Sequence, residues 1–324
     1  MEHKRISILP AGGFGSALAI PLADNGHNVL LYNRSGDATV AFNRTREQHR
    51  LPGIIMPENV EATSDLKRAV NEADLLVLAS PSRSTASFFA EMKEVESGTT
   101  PILSVVKGLQ GHMLISQALD GVDPTVGSRL AVLSGPNFAM DIAQHIPLGT
   151  VIASENESGS LFKEVFDTKD FHVYQDTDII GVQLGGALKN VIAIAAGICN
   201  GKGLHDTARI LLVSRGLSEM SDLGEAMGAK RKTFYGHSGI DDLFLSSGSL
   251  RSRNYQTGIA IGQGTSLEEL LRSDRTVEGL FTVKTALELA RAHNLNLPIM
   301  RTVWQVVYDG LSVDTAVNQF MATF

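Results

Sequence analysis

The chain carries a single cysteine in 324 residues, Cys199 within "AAGICNG". No disulfide framework can exist, and a reducing compartment is the natural setting. The thiol reads as a small buried apolar side chain rather than a reactive group. Positive charge is also scarce: 28 Lys and Arg stand against 35 Asp and Glu, a net charge of −7 at pH 7. General binding to nucleic acid or to an anionic membrane needs clustered Lys and Arg, so the balance argues against both partners. Long hydrophobic runs are missing as well. The longest apolar stretch, "GALKNVIAIAAGIC" from Gly186, carries Lys189 and Asn190 and reads as a buried core helix too short to span a bilayer. The opening "MEHKRISILP" passes from charge into a strand without the apolar stretch of a signal peptide, which predicts a cytoplasmic protein.

What is present is an ordinary globular composition, 43% apolar and 19% charged. The length suits two domains, and the chain shows neither internal repeats nor low-complexity tracts. The first half alternates the apolar runs "ISIL", "NVLLYN", "ADLLVLA", "PILSVV", "LAVLSG", "LGTVIAS" and "FHVYQ" with helical patterns such as "GSALAIPLADNG", "TSDLKRAVNEA" and "SRSTASFFAEMKEV". Near-continuous apolar strands alternating with helices predict a doubly wound α/β sheet of Rossmann type. From about Thr177 only long helical patterns follow, including "DIIGVQLGGALKNVIAIAAGIC", "DTARILLVSRGLSEMSDLGEAMG", "TVEGLFTVKTALELARAHN" and "PIMRTVWQVVYDGL". The prediction is an α/β domain over 1–180 and an all-helical domain over 181–324.

After the first strand comes "PAGGFG". A dinucleotide-binding turn uses three glycines: one for the tight turn, one for close approach to the pyrophosphate, one for helix–strand packing. Gly12 and Gly15 take the second and third places, Gly13 is added, and Pro10 stands in the first. Proline harms such a turn only if the position needs positive φ or an N–H donor, so nucleotide binding is expected to survive. Such a turn can also merely pack. The second strand ends in "LLYNRS", without the acid that grips the 2′-hydroxyl of NAD. Arg34 there can pair with the 2′-phosphate of NADP, which favours NADP(H) over NAD(H); a solvated Arg34 at a strand end is the plainer alternative.

Five further stretches, "LPGIIMPENVEATSDL", "SVVKGLQ", "LSGPNFAMDIA", "DIIGVQLGGALKNVIAIAAGI" and "SRN", occur in this order through almost the whole chain. With them the sequence resembles the bacterial NAD(P)-dependent sn-glycerol-3-phosphate dehydrogenases. The resemblance implies reduction of dihydroxyacetone phosphate to sn-glycerol 3-phosphate, which feeds glycerophospholipid synthesis, by a homodimer.

The residues agree with that chemistry. Reducing a ketone by hydride transfer needs a proton donor at the carbonyl oxygen. Lys189 lies in an apolar helix, where desolvation lowers a lysine pKa towards the useful range; a snorkelling or ion-paired lysine would look the same in sequence. Lys107 follows the fifth strand at the edge where doubly wound folds bind ligands. The resemblance assigns Lys107 to catalysis and to cofactor and substrate contact, and Asp242 to the catalytic site, holding Lys189. It implies cofactor contacts from Gly12, Gly13, Phe14, Gly15, Arg34, Ala139, Arg253 and Glu278. It gives the substrate Gly135, Asn137, Lys189, Asn190, Asp242, Ser252, Arg253 and Asn254.

Departures from the family pattern are Pro10, Asp241 in place of a usual glycine, Thr207 in place of asparagine, and the "SSGS" run from Ser246. Asp241 either adds a carboxylate beside the site or points one away. His205 and His237 lie near these motifs without an assigned role, and no spacing suggests a metal site. Two other readings stay open: a paralogous reductase of another phosphorylated hydroxyketone, and a catalytically silent nucleotide-binding protein.

Overall fold

The computed structural model describes residues 2–96, 98–271 and 277–323. The chain forms two compact units, one from the segments up to Val106 and Ile115–Ile179, the other from Lys107–Leu114 and everything from Ile180. In chain order the strands are β1 (Arg5–Leu9), β2 (Asn28–Tyr32), β3 (Val60–Thr63), β4 (Leu75–Leu78), β5 (Ile102–Ser104), β6 (Leu109–Gln110), β7 (Met113–Leu114), β8 (Leu130–Ser134), β9 (Leu148–Ala153) and β10 (Phe171–Asp176). Eight of them make the sheet of the first unit in the order β10-β9-β8-β5-β4-β1-β2-β3, while β6 and β7 pair separately. The helices of this unit are α1 (Gly13–Asp24), α2 (Gly36–Thr45), α3 (Leu66–Asn71), α4 (Thr85–Lys93), α5 (Ile115–Asp120), α6 (Ala139–Ala143) and α7 (Ser158–Phe166).

The apolar runs are strands because both sheet faces are covered. Leu75 and Val77 of β4 enter a core with Leu18, Leu22 and Phe162, whereas Leu76 and Leu78 enter another with Phe88 and Phe89. Successive side chains point to opposite faces, so every position is apolar. β1 runs parallel to β2 and β4, with Ile6 opposite Val29 and Leu75. The sheet departs from the all-parallel pattern at one place. β9 runs antiparallel to β8, with Val132 opposite Ala153, because the connection holds only the five-residue α6, too short for a crossover helix. β3 was not marked by an apolar run; its "VEAT" carries too little hydrophobic signal.

The second unit contains α8 (Ile179–Gly201), α9 (Asp206–Ala226), α10 (Asp242–Gly248), α11 (Arg253–Gly262), α12 (Leu267–Leu271), α13 (Glu278–Ala292), α14 (Pro298–Tyr308) and α15 (Val313–Met321). Thr276, where the pattern of α13 begins in the sequence, lies outside the described residues. One expectation is corrected: the apolar stretch from Gly186 belongs to a 23-residue helix, long and apolar enough by itself to cross a membrane. Length does not exclude a span; burial accounts for the composition instead, since 89% of its most apolar window is enclosed within the fold. Lys107–Leu114 lies inside 1–180 yet joins the second unit. Leu109 and Leu114 enter its core, and the Thr285 hydroxyl donates to the Gly111 carbonyl at 2.6 Å. Cys199 is buried in that core, where desolvation pushes its thiol up to about 12, so it is an inert apolar filler.

Candidate active site

In the first unit the candidate residues gather at the carboxyl ends of β1, β2 and β8. The Ala11 N–H donates to the Tyr32 carbonyl at 2.8 Å, joining the glycine turn to the end of β2. What the turn takes from Pro10, which follows a cis peptide bond, is its carbonyl: it accepts the Gly12 N–H at 3.0 Å. Gly12 is the N-cap of α1, in extended conformation and without a capping side chain. A Cβ on Gly12 would have only Arg50 Nη1 nearby, at 3.8 Å, whereas one on Gly15 would press on Ile8 and Ala79 at 3.0 and 3.1 Å. The second glycine is therefore open to an approaching group and the third sets helix–strand contact, which fits a dinucleotide pyrophosphate at the α1 N-terminus. Gly13 and Phe14 begin the helix.

Arg34 stands where the ribose of a dinucleotide would end, but it is engaged. Its Nη2 donates to both Glu91 oxygens at 2.9 Å, and its guanidinium lies 5.5 Å from the centre of the Phe88 ring. A 2′-phosphate would share this arginine with a carboxylate. After β8, Gly135 and Asn137 lead into α6, which starts at Ala139 and packs against α1. Asn137 is buried, its Oδ1 lies 3.0 Å from the Thr150 hydroxyl, and its Nδ2 has no partner.

The second unit assembles the charged residues. Gly185 lies one helical turn before Lys189 on α8, and a Cβ there would collide with the Ser238 carbonyl. On the facing strand of chain, a Cβ on Gly239 would collide with the Phe234 carbonyl. Gly185 allows the turn at His237–Asp241 to lie directly on α8 and Gly239 allows that turn to close on Phe234, which delivers Asp242, the first residue of α10, to Lys189. Lys189 Nζ donates to Asp242 Oδ1 at 2.8 Å and to Ser246 Oγ at 2.5 Å, while Lys107 Nζ donates to Asp242 Oδ2 at 2.8 Å. Asp242 is 1% exposed and Lys189 7%. Burial lowers Lys107 to about 8, against the opposing pull of Asp242, and the neighbouring Lys189 cation acts in the same direction as burial.

Beside this triad, Asn254 Nδ2 donates to Asn190 Oδ1 at 2.9 Å, and Asn254 Oδ1 accepts the Gly279 N–H at 2.9 Å. The starts of α11 and α13 are thereby pinned to α8 next to Lys189. Ser252 caps α11, accepting the Tyr255 N–H; Arg253 opens that helix with an exposed side chain, and Glu278 opens α13. One carboxylate shared by two lysines carries a net positive charge in a largely buried place, an arrangement suited to an oxyanion or a phosphate.

Models of the NAD-dependent glycerol-3-phosphate dehydrogenase N-terminus and C-terminus match residues 5–160 and 178–318. The chain belongs to this family. It is 38% identical to the glycerol-3-phosphate dehydrogenase [NAD(P)+] of Fusobacterium nucleatum over 98% of this chain and 96% of the relative. It is 39% identical to that of Carboxydothermus hydrogenoformans over 96% and 94%. The glycerol-3-phosphate dehydrogenase structure from Coxiella burnetii superposes with a TM-score of 0.92 at 32% identity, covering 98% of this chain and 99% of that one.

Within this dehydrogenase family member the geometry answers the question raised by Asp241. Its carboxylate faces His237 Nδ1 at 2.5 Å and is half exposed, whereas Asp242 turns inward. Adjacent aspartates on one turn project to different sides, so Asp241 points away from the triad. Ser246, noted in the sequence only as a departure, is a lysine ligand. Its spacing of four from Asp242 on a helix was the available signal. Glu91 and Thr150 carried no sequence signal, because each meets its partner only through sheet packing.

Proposed function

We propose that the chain catalyses the reversible NAD(P)H-dependent reduction of dihydroxyacetone phosphate to sn-glycerol 3-phosphate, with 1–180 serving the cofactor and 181–324 the substrate. The Lys107–Asp242–Lys189 triad, with Asp242 and Lys189 buried and Lys107 partly so, carries this reading. When bound, the nicotinamide supplies the hydride.

The chain's own residues supply the rest. Lys189 donates the proton to the ketone oxygen in reduction and recovers it in oxidation, and Lys107 adds positive charge at the developing oxyanion. Asp242 holds both ammonium groups in place, and Ser246 fixes the direction of Lys189. Asn190, Ser252, Arg253 and Asn254 hold the phosphate-bearing substrate, with Gly135 and Asn137 from the β8 loop. Arg253's planar guanidinium suits a phosphate dianion. Gly12, Gly13, Phe14 and Gly15 hold the pyrophosphate, with Ala139, Lys107, Arg253 and Glu278 as further cofactor contacts. Arg34 favours NADPH, and the Glu91 carboxylate moderates that preference. We read the active protein as a cytoplasmic homodimer that supplies the glycerol backbone of phospholipids.

The test is steady-state turnover by the purified chain, with dihydroxyacetone phosphate and either reduced nicotinamide cofactor. Substrate-dependent oxidation of NADPH or NADH is expected, and Lys189→Ala removes it. Absence of turnover with both cofactors, or full activity in Lys189→Ala, would sink the proposal.

A further inference from the structure

Asp241 directly precedes α10, in the place where an aspartate ordinarily caps the first amide groups of a helix. It does not cap: its backbone is already helical and its side chain makes no capping hydrogen bond. The carboxylate turns back instead, and the His237 Nδ1–H donates to it at 2.5 Å. His237 and Asp241 are the first and last residues of the turn that lies on α8. The pair therefore closes that turn end to end, over a stretch where Gly239, with Gly236 just before it, leaves the backbone more to lose in freedom than any other residue type. The next residue in the chain is Asp242, whose two oxygens meet Lys189 Nζ and Lys107 Nζ at 2.8 Å each. A carboxylate shared between two ammonium groups cannot shift towards one without leaving the other.

We propose that Asp241 is a positioning residue: paired with His237 across the turn, it holds Asp242 where one carboxylate reaches both Lys107 and Lys189. The inference rests on the function proposed above. Asp241 touches neither lysine and acts only through the backbone it shares with Asp242.

Three variants test it. Asp241→Ala removes the carboxylate, His237→Phe keeps a ring and removes the donor, and Asp241→Asn keeps an acceptor for the His237 N–H. Asp241→Ala and His237→Phe are each expected to lower kcat/KM for dihydroxyacetone phosphate roughly fivefold, about the whole worth of a half-exposed ion pair. The double variant falls no further, since either change alone already breaks the pair, and Asp241→Asn stays near wild type. A second readout needs no turnover: acetylation of Lys107 by acetic anhydride as a function of pH, followed by peptide mass spectrometry. The charged groups facing Lys107 are Asp242 and Lys189; Asp242 opposes burial and holds the Lys107 proton, so a loosened Asp242 moves the labelling midpoint below its wild-type value of about 8. That shift is expected in Asp241→Ala and in His237→Phe, so either variant decides the matter if the other does not fold. A pair that merely stabilises the fold lowers the thermal midpoint and leaves the Lys107 titration in place. An unshifted labelling midpoint, a double variant that falls further than either single one, or Asp241→Asn as impaired as Asp241→Ala would overturn the proposal. A wild-type chain inactive on dihydroxyacetone phosphate would instead overturn the function beneath it, and the labelling would still decide what holds Asp242.

Discussion

Asp242 makes one carboxylate serve two lysines, and the consequences are local. Removing Lys189 as alanine leaves Asp242 paired to Lys107 alone and takes away the proposed proton donor. Turnover is expected to fall by roughly 10²–10⁴-fold, with NADPH binding by fluorescence titration nearly unchanged. Lys107 has its pKa lowered from 10.5 to about 8. It is charged at neutral pH and loses its charge as pH rises through about 8, so kcat/KM for ketone reduction should decline above that value. Lys107→Arg, whose guanidinium keeps its proton, should flatten that limb; an unaltered pH profile would remove Lys107 from the chemistry. In the α/β unit, Glu91→Gln frees Arg34 from its carboxylate. The expected outcome is a several-fold rise in the NADPH over NADH ratio of kcat/KM, consistent with about 1 kcal/mol for an exposed pair. No change in the ratio would mean that Arg34 does not meet the 2′-phosphate. Lysines, aspartate and arginine were all legible in the sequence by type and motif. Glu91, the partner of Arg34, was not, because a partner is defined by distance in space, and Ser246 was marked only by its spacing of four from Asp242.

At the scale of elements, the site depends on how closely α8 is approached. A Cβ on Gly197 or Gly258 would collide with the backbone of the facing helix, so α8 and α11 cross at near contact and Asn254 reaches Asn190. The apolar periodicity announced α8 as a buried helix, yet it could not say which neighbour its glycines admit. Another element is held by a buried carboxylate. Glu219 of α9 accepts the Ile299 and Met300 N–H groups at 2.6 and 3.1 Å and so caps α14. Burial raises its pKa from 4.5 to about 7, outweighing those two donors. The folded chain therefore holds a proton that the unfolded chain has released between those values. This contribution to stability is fully present below about pH 4.5 and is lost as pH rises through about 7. Urea midpoints measured between pH 5 and 8 should slope downward more in the wild type than in Glu219→Gln. Glu219→Ala, which strands two buried donors, should lower stability by roughly 2 kcal/mol at neutral pH.

On the scale of the whole molecule, the two units have separate cores but are not separate stretches of chain. Lys107–Leu114 leaves the α/β segment and inserts Leu109 and Leu114 into the helical core, carrying Lys107 to Asp242. A fragment beginning at Ile180 lacks both leucines and the partner of the Thr285 hydroxyl. Each buried leucine is worth about 1.5–3 kcal/mol, so the fragment should lose its helical circular dichroism at a lower urea concentration than the helical unit of the intact chain. Equal resistance would show the segment to be dispensable. The alternation of apolar runs and helical patterns determined, from sequence alone, an α/β sheet followed by helices, because the periods of strand and helix are local properties of the backbone. Motif order likewise determined the family. Tertiary structure alone decided that β9 reverses, that Asp241 faces away while Asp242 faces in, that Arg34 is shared with Glu91, and that a short segment changes unit. Each of these turns on groups far apart in the chain meeting within a few ångströms, and no local period encodes such a meeting.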